Sequence, residues 1–407
     1  MKICIHRGTK EIGGSCVQLE AGGESILIDA GMPLTSGPEY PPMIPKIDGG
    51  SLRGIVISHP HQDHYGLLPW MPATPVLMGD AARRILRAAA PFVRQPPMNL
   101  HGPSLADQQT VSLGPFRITP YLVDHSAYDS YALLIESDGK RVFYSGDIRT
   151  HGRKSVLVER LMASPPAPLD VLLLEGTTLG RASNVAQKTE AAIENELTDI
   201  FLKTAGMALV HVSAQNIDRV VSIFRASRKT KRTLIIDLYT AEILAATGNS
   251  RIPQSDWENM ALCIPQRQRV QIKNSEMFEA LKRHSRHRIF PKTITKNPRG
   301  YTLIFRELWM RDLERANCLD GACLIHSQWD GYLKEGSYRA IEEWRQANGL
   351  SFHQVHTSGH ASPDELKRFA TALDPKMVVP IHSETPDRYR DLYPFVQTHM
   401  DGEWWGV

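Results

Sequence analysis

The string His59-Pro60-His61-Gln62-Asp63-His64 constrains this chain more than any other feature. Three imidazoles and one carboxylate within six residues do not pack into an apolar core, because each would need its own buried partner. The string follows directly on Gly54–Ser58 (GIVIS), a run of strand-forming residues, so it begins a loop at a strand's carboxyl end. Side chains alternate along extended chain, which lets His59 and His61 converge on one centre. Asp63 and His64 sit one step further on and reach a second centre nearby. Imidazole and carboxylate are ligands that a divalent zinc ion accepts. A solvated polar loop is the competing reading, and the strand context argues against it.

Four other places repeat the pattern of a strand running into a polar residue: Val123-Asp124-His125, Ser145-Gly146-Asp147, Leu174-Glu175-Gly176 and Pro380-Ile381-His382. Sites of open α/β sheets gather at the carboxyl ends of strands. Singly, each place reads equally well as a cap, a turn or a surface histidine. Together with the histidine string they supply what two ions need: a bridging carboxylate (Asp147) and a closing histidine on each (His125, His382).

The pattern along the chain is α/β. Ser25–Asp29, Gly54–Ser58, Tyr131–Glu136, Arg141–Ser145 and Leu169–Leu174 read as strands, and Asp80–Ala90 as a helix. From about Gly180 the texture changes. Thr189–Lys203 has helical spacing, and Met207–Ser213, Ile217–Ser227 and Thr233–Leu238 read as strand, helix and strand of a parallel unit. Arg251–Arg311 reads as irregular and carries 13 Lys and Arg against 5 Asp and Glu. Near Ser351 the first texture returns, and Ser362-Pro363-Asp364-Glu365 spells a capped helix start.

Composition adds bounds. A chain of 407 residues with 42% hydrophobic residues buries a large core in two or three domains. The net charge of +3 excludes a polycation but permits a local basic surface. Five cysteines without a CxxC pair argue against both a disulfide framework and a cysteine zinc site. The absence of a signal-like start or a long apolar run leads us to expect a soluble, cytoplasmic protein.

The set HPHQDH, His125 and SGD resembles the metallo-β-lactamase superfamily, and the resemblance sharpens toward its β-CASP nuclease branch. Asp29 in LIDAG matches the superfamily's first acidic motif. Glu175 in LLLEGT, His360 in HTSGH and His382 in PIHSE match the branch's three later motifs. The wording is most similar to ribonuclease J and its relatives.

The resemblance implies an αββα metallo-β-lactamase sandwich with an inserted α/β β-CASP domain. Residues 1–185 and 341–407 would form the sandwich and residues 186–340 the insert. It implies two zinc ions, with manganese the alternative because these ligands accept both. His59, His61, His125 and Asp147 would hold one; Asp63, His64, Asp147 and His382 the other. Asp63, His360, Glu175 and Asp29 would be the catalytic set. His360 would protonate the leaving oxygen, Glu175 would hydrogen-bond a ligand histidine, and Asp29 would support the site. The turn of His356, Ser358 and Gly359, with Ser213, would hold substrate phosphate. Plain helix capping competes for Ser213 and Asn216.

The expected activity is hydrolysis of single-stranded RNA, with 5′-to-3′ exonuclease trimming, and the basic insert would neutralise phosphates. No membrane partner is expected, and a homodimer or a place in an RNA-processing complex stays open. The chain ends about 25 residues after His382, where ribonuclease J continues into a domain that supports dimerisation. A DNA nuclease, a small-molecule metallo-hydrolase and a non-catalytic RNA-binding subunit are the rival readings. Of the other histidines, His151 lies closest to a motif. His211, His326 and His399 read as bland, and His284 and His287 as solvated surface.

Overall fold

The computed structural model describes residues 1–34, 44–47, 49–93, 96–180, 187–334 and 336–407, with the backbone alone for Ser337. The chain forms two compact units. The first comprises Met1–Leu86, Gln95–Ala186 and Gly359–Val407, and the second Arg87–Arg94 and Gln187–Ser358.

Two sheets build the first unit. One runs in the order Trp404–Gly406, Lys2–Arg7, Cys16–Ala21, Glu24–Ile28, Leu52–Val56, Val76–Gly79 and Ser104–Leu105. The other runs Pro375–Ile381, Leu169–Glu175, Lys140–Tyr144, Tyr131–Ser137, Phe116–Leu122 and Val111–Leu113. Strand alternation decides which residues meet between them. Ile3, Ile5, Ile26 and Ile28 of the first sheet pack with Leu133, Ile135, Val171 and Leu173 of the second. The residues between these point outward, and helices cover them. Leu134, Phe143, Leu172 and Leu174 pack on Val158 and Leu161 of helix Ser155–Ala163 and on Leu366 and Phe369 of helix Pro363–Leu373. Leu27, Ile55 and Met78 pack on Ala82 and Leu86 of helix Asp80–Ala89. Layering of helix, sheet, sheet and helix follows, and strands buried on both faces explain the continuous apolar runs.

The second unit is an α/β layer built on one parallel sheet, ordered Met260–Leu262, Thr233–Ile236, Tyr301–Phe305, Ala208–His211, Cys323–His326 and Ser351–Gln354. Leu209, Ile235, Leu303, Phe305 and Leu324 pack with Trp309, Leu313, Ile341 and Trp344 on one face. Helix Glu190–Lys203 starts at Thr189, whose hydroxyl accepts the Ala192 amide. Arg219 of helix Ile217–Lys229 is fully buried and is neutralised by both oxygens of Glu190 at 3.1 and 3.2 Å.

Two differences from the sequence reading stand out. Arg251–Arg311 is ordered: it holds strands Met260–Leu262 and Tyr301–Phe305 and helices Gln266–Asn274 and Phe278–Arg283. These elements are too short for periodicity to register. The compact units also part at Gly359 rather than 341, because strand Ser351–Gln354 pairs with Cys323–His326 of the second unit's sheet. The other expected boundary, at 185, lies outside the described residues.

Candidate metal centre

Every polar residue singled out from the strand ends of the first unit lies just beyond, or at the end of, a strand. Asp29 follows Glu24–Ile28, His59 follows Leu52–Val56, His125 follows Phe116–Leu122, Asp147 follows Lys140–Tyr144, and His382 follows Pro375–Ile381; Glu175 closes Leu169–Glu175. The segment Gln62–Tyr65 turns into one helical turn, with the His64 amide on the His61 carbonyl at 2.9 Å. That turn separates Asp63 and His64 from His59 and His61.

The donor atoms form four overlapping groups: His59, His61 and His125; His59, His64 and Asp147; Asp63, His64 and His382; and His125, Asp147 and His360. His59, His61 and His125 bring one nitrogen each within 4.8 Å of one another, and so do the donors of Asp63, His64 and His382. Asp147 stands between them. Its Oδ2 is 3.2 Å from His64 Nε2, 3.6 Å from His59 Nε2 and 3.9 Å from His125 Nε2, while Oδ1 is 3.5 Å from His382 Nδ1. Asp63 Oδ2 is 3.7 Å from His382 Nε2 and 3.8 Å from His64 Nε2.

Hydrogen bonds behind the rings decide which nitrogens are left with lone pairs. His125 Nδ1 donates to the Gly359 carbonyl at 2.6 Å, which leaves Nε2 as the lone-pair nitrogen. His64 Nδ1 donates to Asp29 at 2.7 Å, so its Nε2 faces Asp147. Asp29 also accepts the Ser58 amide and hydroxyl and the Tyr144 hydroxyl, at 2.7, 2.8 and 2.7 Å. Asp29 and His382 both adopt left-handed backbone, with φ of 57° and 53°. Such strain persists where surrounding contacts fix it, and it gathers at functional sites.

Crowding sets the charge state. Burial, together with the neighbouring imidazoles, pushes His59 and His125 well below their ordinary pKa, and burial takes His61 down to about 4. Burial also lowers His382. His64 is the exception: burial opposes its charge, but Asp147, Asp29 and Asp63 outweigh burial and raise it well above the usual value. Burial likewise opposes ionisation of Asp147, and His382, His64 and His360 overcome it.

These residues fit a metal. His59 Nε2 is buried with no hydrogen-bond partner among the described residues, a cost that a bound cation removes. The donors are N and O only, as hard to borderline divalent ions prefer.

Glu175 accepts the Ile148 and Thr177 amides at 3.0 and 3.2 Å and holds His360 Nδ1 at 3.1 Å. Its histidine partner is His360, which is outside the seven expected ligands but groups with His125 and Asp147 as donors that could hold a metal. His360 Nδ1 is 3.8 Å from Asp147, and its side chain keeps 20% exposure. Gly359 is packed tightly: a Cβ there would lie 2.6 Å from Ser126 Oγ and 3.2 Å from the His125 ring. His356 and Ser358 belong to the second unit, where the Ser358 amide reaches Gln187 at 3.4 Å. Ser213 accepts the Gln215 amide at 3.3 Å, and Asn216 caps helix Ile217–Lys229.

Several participants gave no signal in the sequence. Ser15 and the Gly13 amide each lie 3.1 Å from a His382 ring nitrogen. Arg149 and Asp124 form a fully buried pair at 3.3 Å behind the loop of His125. The basic-stretch histidine His284 is buried between Ser255 and Glu242, each at 2.7 Å, so it is not solvated surface. His287 Nδ1 donates to the Trp257 carbonyl at 3.0 Å. His151 is 3.8 Å from Glu365, which closes the cap of helix Pro363–Leu373.

An αββα sandwich with this His/Asp centre defines a class of metal-binding hydrolases. The sequence matches the family described as Beta-lactamase superfamily domain over residues 24–216, and the Zn-dependent metallo-hydrolase RNA specificity domain over residues 350–390. By these two matches the chain carries a metallo-β-lactamase superfamily domain together with a Zn-dependent metallo-hydrolase RNA specificity domain.

Its relatives are distant. It is 20% identical to "Probable RNase MJ4" of Methanocaldococcus jannaschii, over 94% of this chain and 93% of that protein. It is 24% identical to "Ribonuclease J" of Corynebacterium glutamicum, over 94% of this chain and 54% of that one. The chain thus spans about half the length of that ribonuclease J. The fold is shared with a crystal structure of a protein of unknown function from Enterococcus faecalis V583, at a TM-score of 0.80, 19% identity and 99% coverage of both chains. Among the described residues no helix is long and apolar enough to cross a membrane.

Proposed function

We propose that this chain is a metal-dependent ribonuclease that hydrolyses phosphodiester bonds of single-stranded RNA, trimming from the 5′ end. One observation carries the reading: the Asp147 carboxylate stands between two groups of His and Asp donors, within 3.9 Å of His59, His64, His125 and His382. The RNA specificity match over residues 350–390 and relatives named as ribonucleases support the substrate class.

His59, His61, His125 and Asp147 would hold one zinc ion, and Asp63, His64, Asp147 and His382 the other, with manganese as the alternative metal. When bound, such a pair makes water acidic at neutral pH and neutralises charge developing on phosphate. The chain's own residues do the rest. Asp29 fixes the His64 ring, and the Gly359 carbonyl fixes the His125 ring. Glu175 holds His360 by Nδ1, which leaves the opposite ring nitrogen to carry a proton to the leaving oxygen. His356, Ser358 and Gly359, with Ser213, are the proposed contacts to substrate phosphate.

The test is a time course on 5′-labelled single-stranded RNAs with monophosphate, triphosphate and hydroxyl ends, with bound metal quantified in parallel. Cleavage that disappears in Asp63→Ala and His360→Ala is expected. Absence of cleavage with metal fully loaded, or cleavage indifferent to Asp63→Ala, overturns the reading.

A further inference from the structure

The second unit carries a feature that the metal centre does not use. Strands Ala208–His211 and Cys323–His326 lie side by side and parallel, with His211 opposite His326. Open parallel sheets take ligands beyond the carboxyl ends of their strands. Beyond this end the chain continues as Ser327-Gln328-Trp329-Asp330-Gly331-Tyr332. Trp329 and Tyr332 are 44% and 41% exposed, and their rings meet edge to face with centroids 5.5 Å apart.

The exposed indole is held in place. A Cβ on Gly331 would lie 2.2 Å from the Trp329 ring, so the indole rests against the Gly331 backbone and a side chain there would displace it. The Trp329 carbonyl lies 3.4 Å from His326 Nε2. Beside it, the half-buried Gln328 donates its amide to His211 Nε2 at 3.1 Å, and His211 Nδ1 is 3.4 Å from His326 Nδ1. Tyr338 packs on both imidazoles, with ring centroids 5.8 and 5.2 Å away. The loop therefore presents a fixed, solvent-facing aromatic pair next to a fixed carboxamide.

The net charge of the unit favours one kind of ligand. The second unit carries 27 Lys and Arg against 19 Asp and Glu, while the whole chain is only +3. A basic unit that exposes rigid aromatics suits a single strand, whose backbone is attracted by charge and whose unpaired bases stack.

We propose that Trp329, with Tyr332 set against it edge to face, forms a stacking platform for an unpaired base of single-stranded RNA, with the Gln328 carboxamide placed to hydrogen-bond that base's edge. The platform rests on the ribonuclease reading and adds a base subsite to it. It predicts that affinity depends on the aromatic face at Trp329, which a merely structural loop residue would not require.

Binding of short single-stranded RNAs to the full chain tests this, in an Asp63→Ala background so that the strand is not consumed. The strands carry 2-aminopurine at successive positions, whose fluorescence is quenched by stacking. One position is expected to be quenched on binding. Trp329→Ala should relieve that quenching and weaken binding about tenfold, while Trp329→Phe keeps most of both. An abasic nucleotide at that position should cost the parent protein as much, and cost Trp329→Ala little more. An unfolding temperature of Trp329→Ala equal to the parent's separates lost stacking from lost folding. If Trp329→Ala misfolds, the abasic strand alone decides: unchanged affinity in the parent overturns the platform. Equal RNA affinity in Trp329→Ala and parent overturns it too, including the case in which the aromatic pair serves a protein partner. RNA binding that depends on Trp329 without any cleavage by the unmodified chain would leave the platform standing and remove the nuclease reading. Cleavage with Trp329-independent binding would do the reverse.

Discussion

Asp29 gathers four donors: the Ser58 amide and hydroxyl, the Tyr144 hydroxyl and His64 Nδ1. The carboxylate thereby fixes the tautomer of His64, and His64 Nε2 points at Asp147. Asparagine tolerates the left-handed backbone at this position but replaces one acceptor oxygen by an N–H₂ facing donors. Asp29→Asn is therefore expected to weaken zinc binding about 10- to 100-fold, measured by titration against a competing chelator. The unpaired buried donors should also lower unfolding stability by about 1–3 kcal/mol. An unchanged zinc affinity would show that the Asp29 contact does not orient His64. At this scale the sequence was informative about the ligands and about Asp29 and Glu175 among their supports, and silent about the other supports. His59 to His64 stand in one string, whereas Ser15, Ser58, Tyr144 and Arg149 are ordinary residues until the chain brings them to the site.

Helix Pro363–Leu373 shows how a local signal and a tertiary role coincide. Ser362 accepts the Glu365 amide while Glu365 accepts the Ser362 amide, and Pro363 occupies the first helical position. The cap sits next to the site: the Ala361 amide donates to the Ile148 carbonyl at 2.6 Å, one residue past Asp147 and one past His360. Glu365 also accepts from Thr150. Ser362→Ala should cost about 1 kcal/mol, read as a lower urea midpoint with an unchanged slope. A loss near zero would mean that Glu365 and Pro363 suffice to start the helix. The cap is legible because it is spelled within four residues. Strand Ser351–Gln354 is not. Its partner Cys323–His326 lies about 28 residues earlier, and no local pattern says which of two sheets a short strand joins.

For the whole molecule, the metal-free protein should be sensitive to mild acid. His59, His61, His125 and His382 are held below their ordinary pKa chiefly by burial, His61 down to about 4. Across the interval from about 6.5 down to 4, the unfolded chain takes up these protons first. Stability is then full above about 6.5 and falls as pH drops. His64 is raised, so its contribution is complete below its unfolded value and constant through this window. Asp147 is depressed below the carboxylate range, and its contribution is also constant there. In chelator, the denaturant midpoint should fall steadily over that interval, with His61 contributing about 3 kcal/mol at most. Zinc should raise the midpoint at neutral pH in proportion to the logarithm of its concentration. A flat profile between pH 6.5 and 4 without metal would mean that the imidazoles are not buried together.

By itself the sequence determined which chemistry is available. Ligand types, their position after strands, the α/β alternation and a basic middle stretch are all local properties, set by side-chain identity and near-neighbour spacing. Tertiary structure alone decided the partnerships: Asp147 between two donor groups, Glu175 on His360, and His284 buried against Glu242. The physical reason is separation along the chain. His125 and the Gly359 carbonyl meet across 234 residues. Such a contact is fixed by how sheets and helices bury their apolar faces, not by any pattern a short window of sequence can hold.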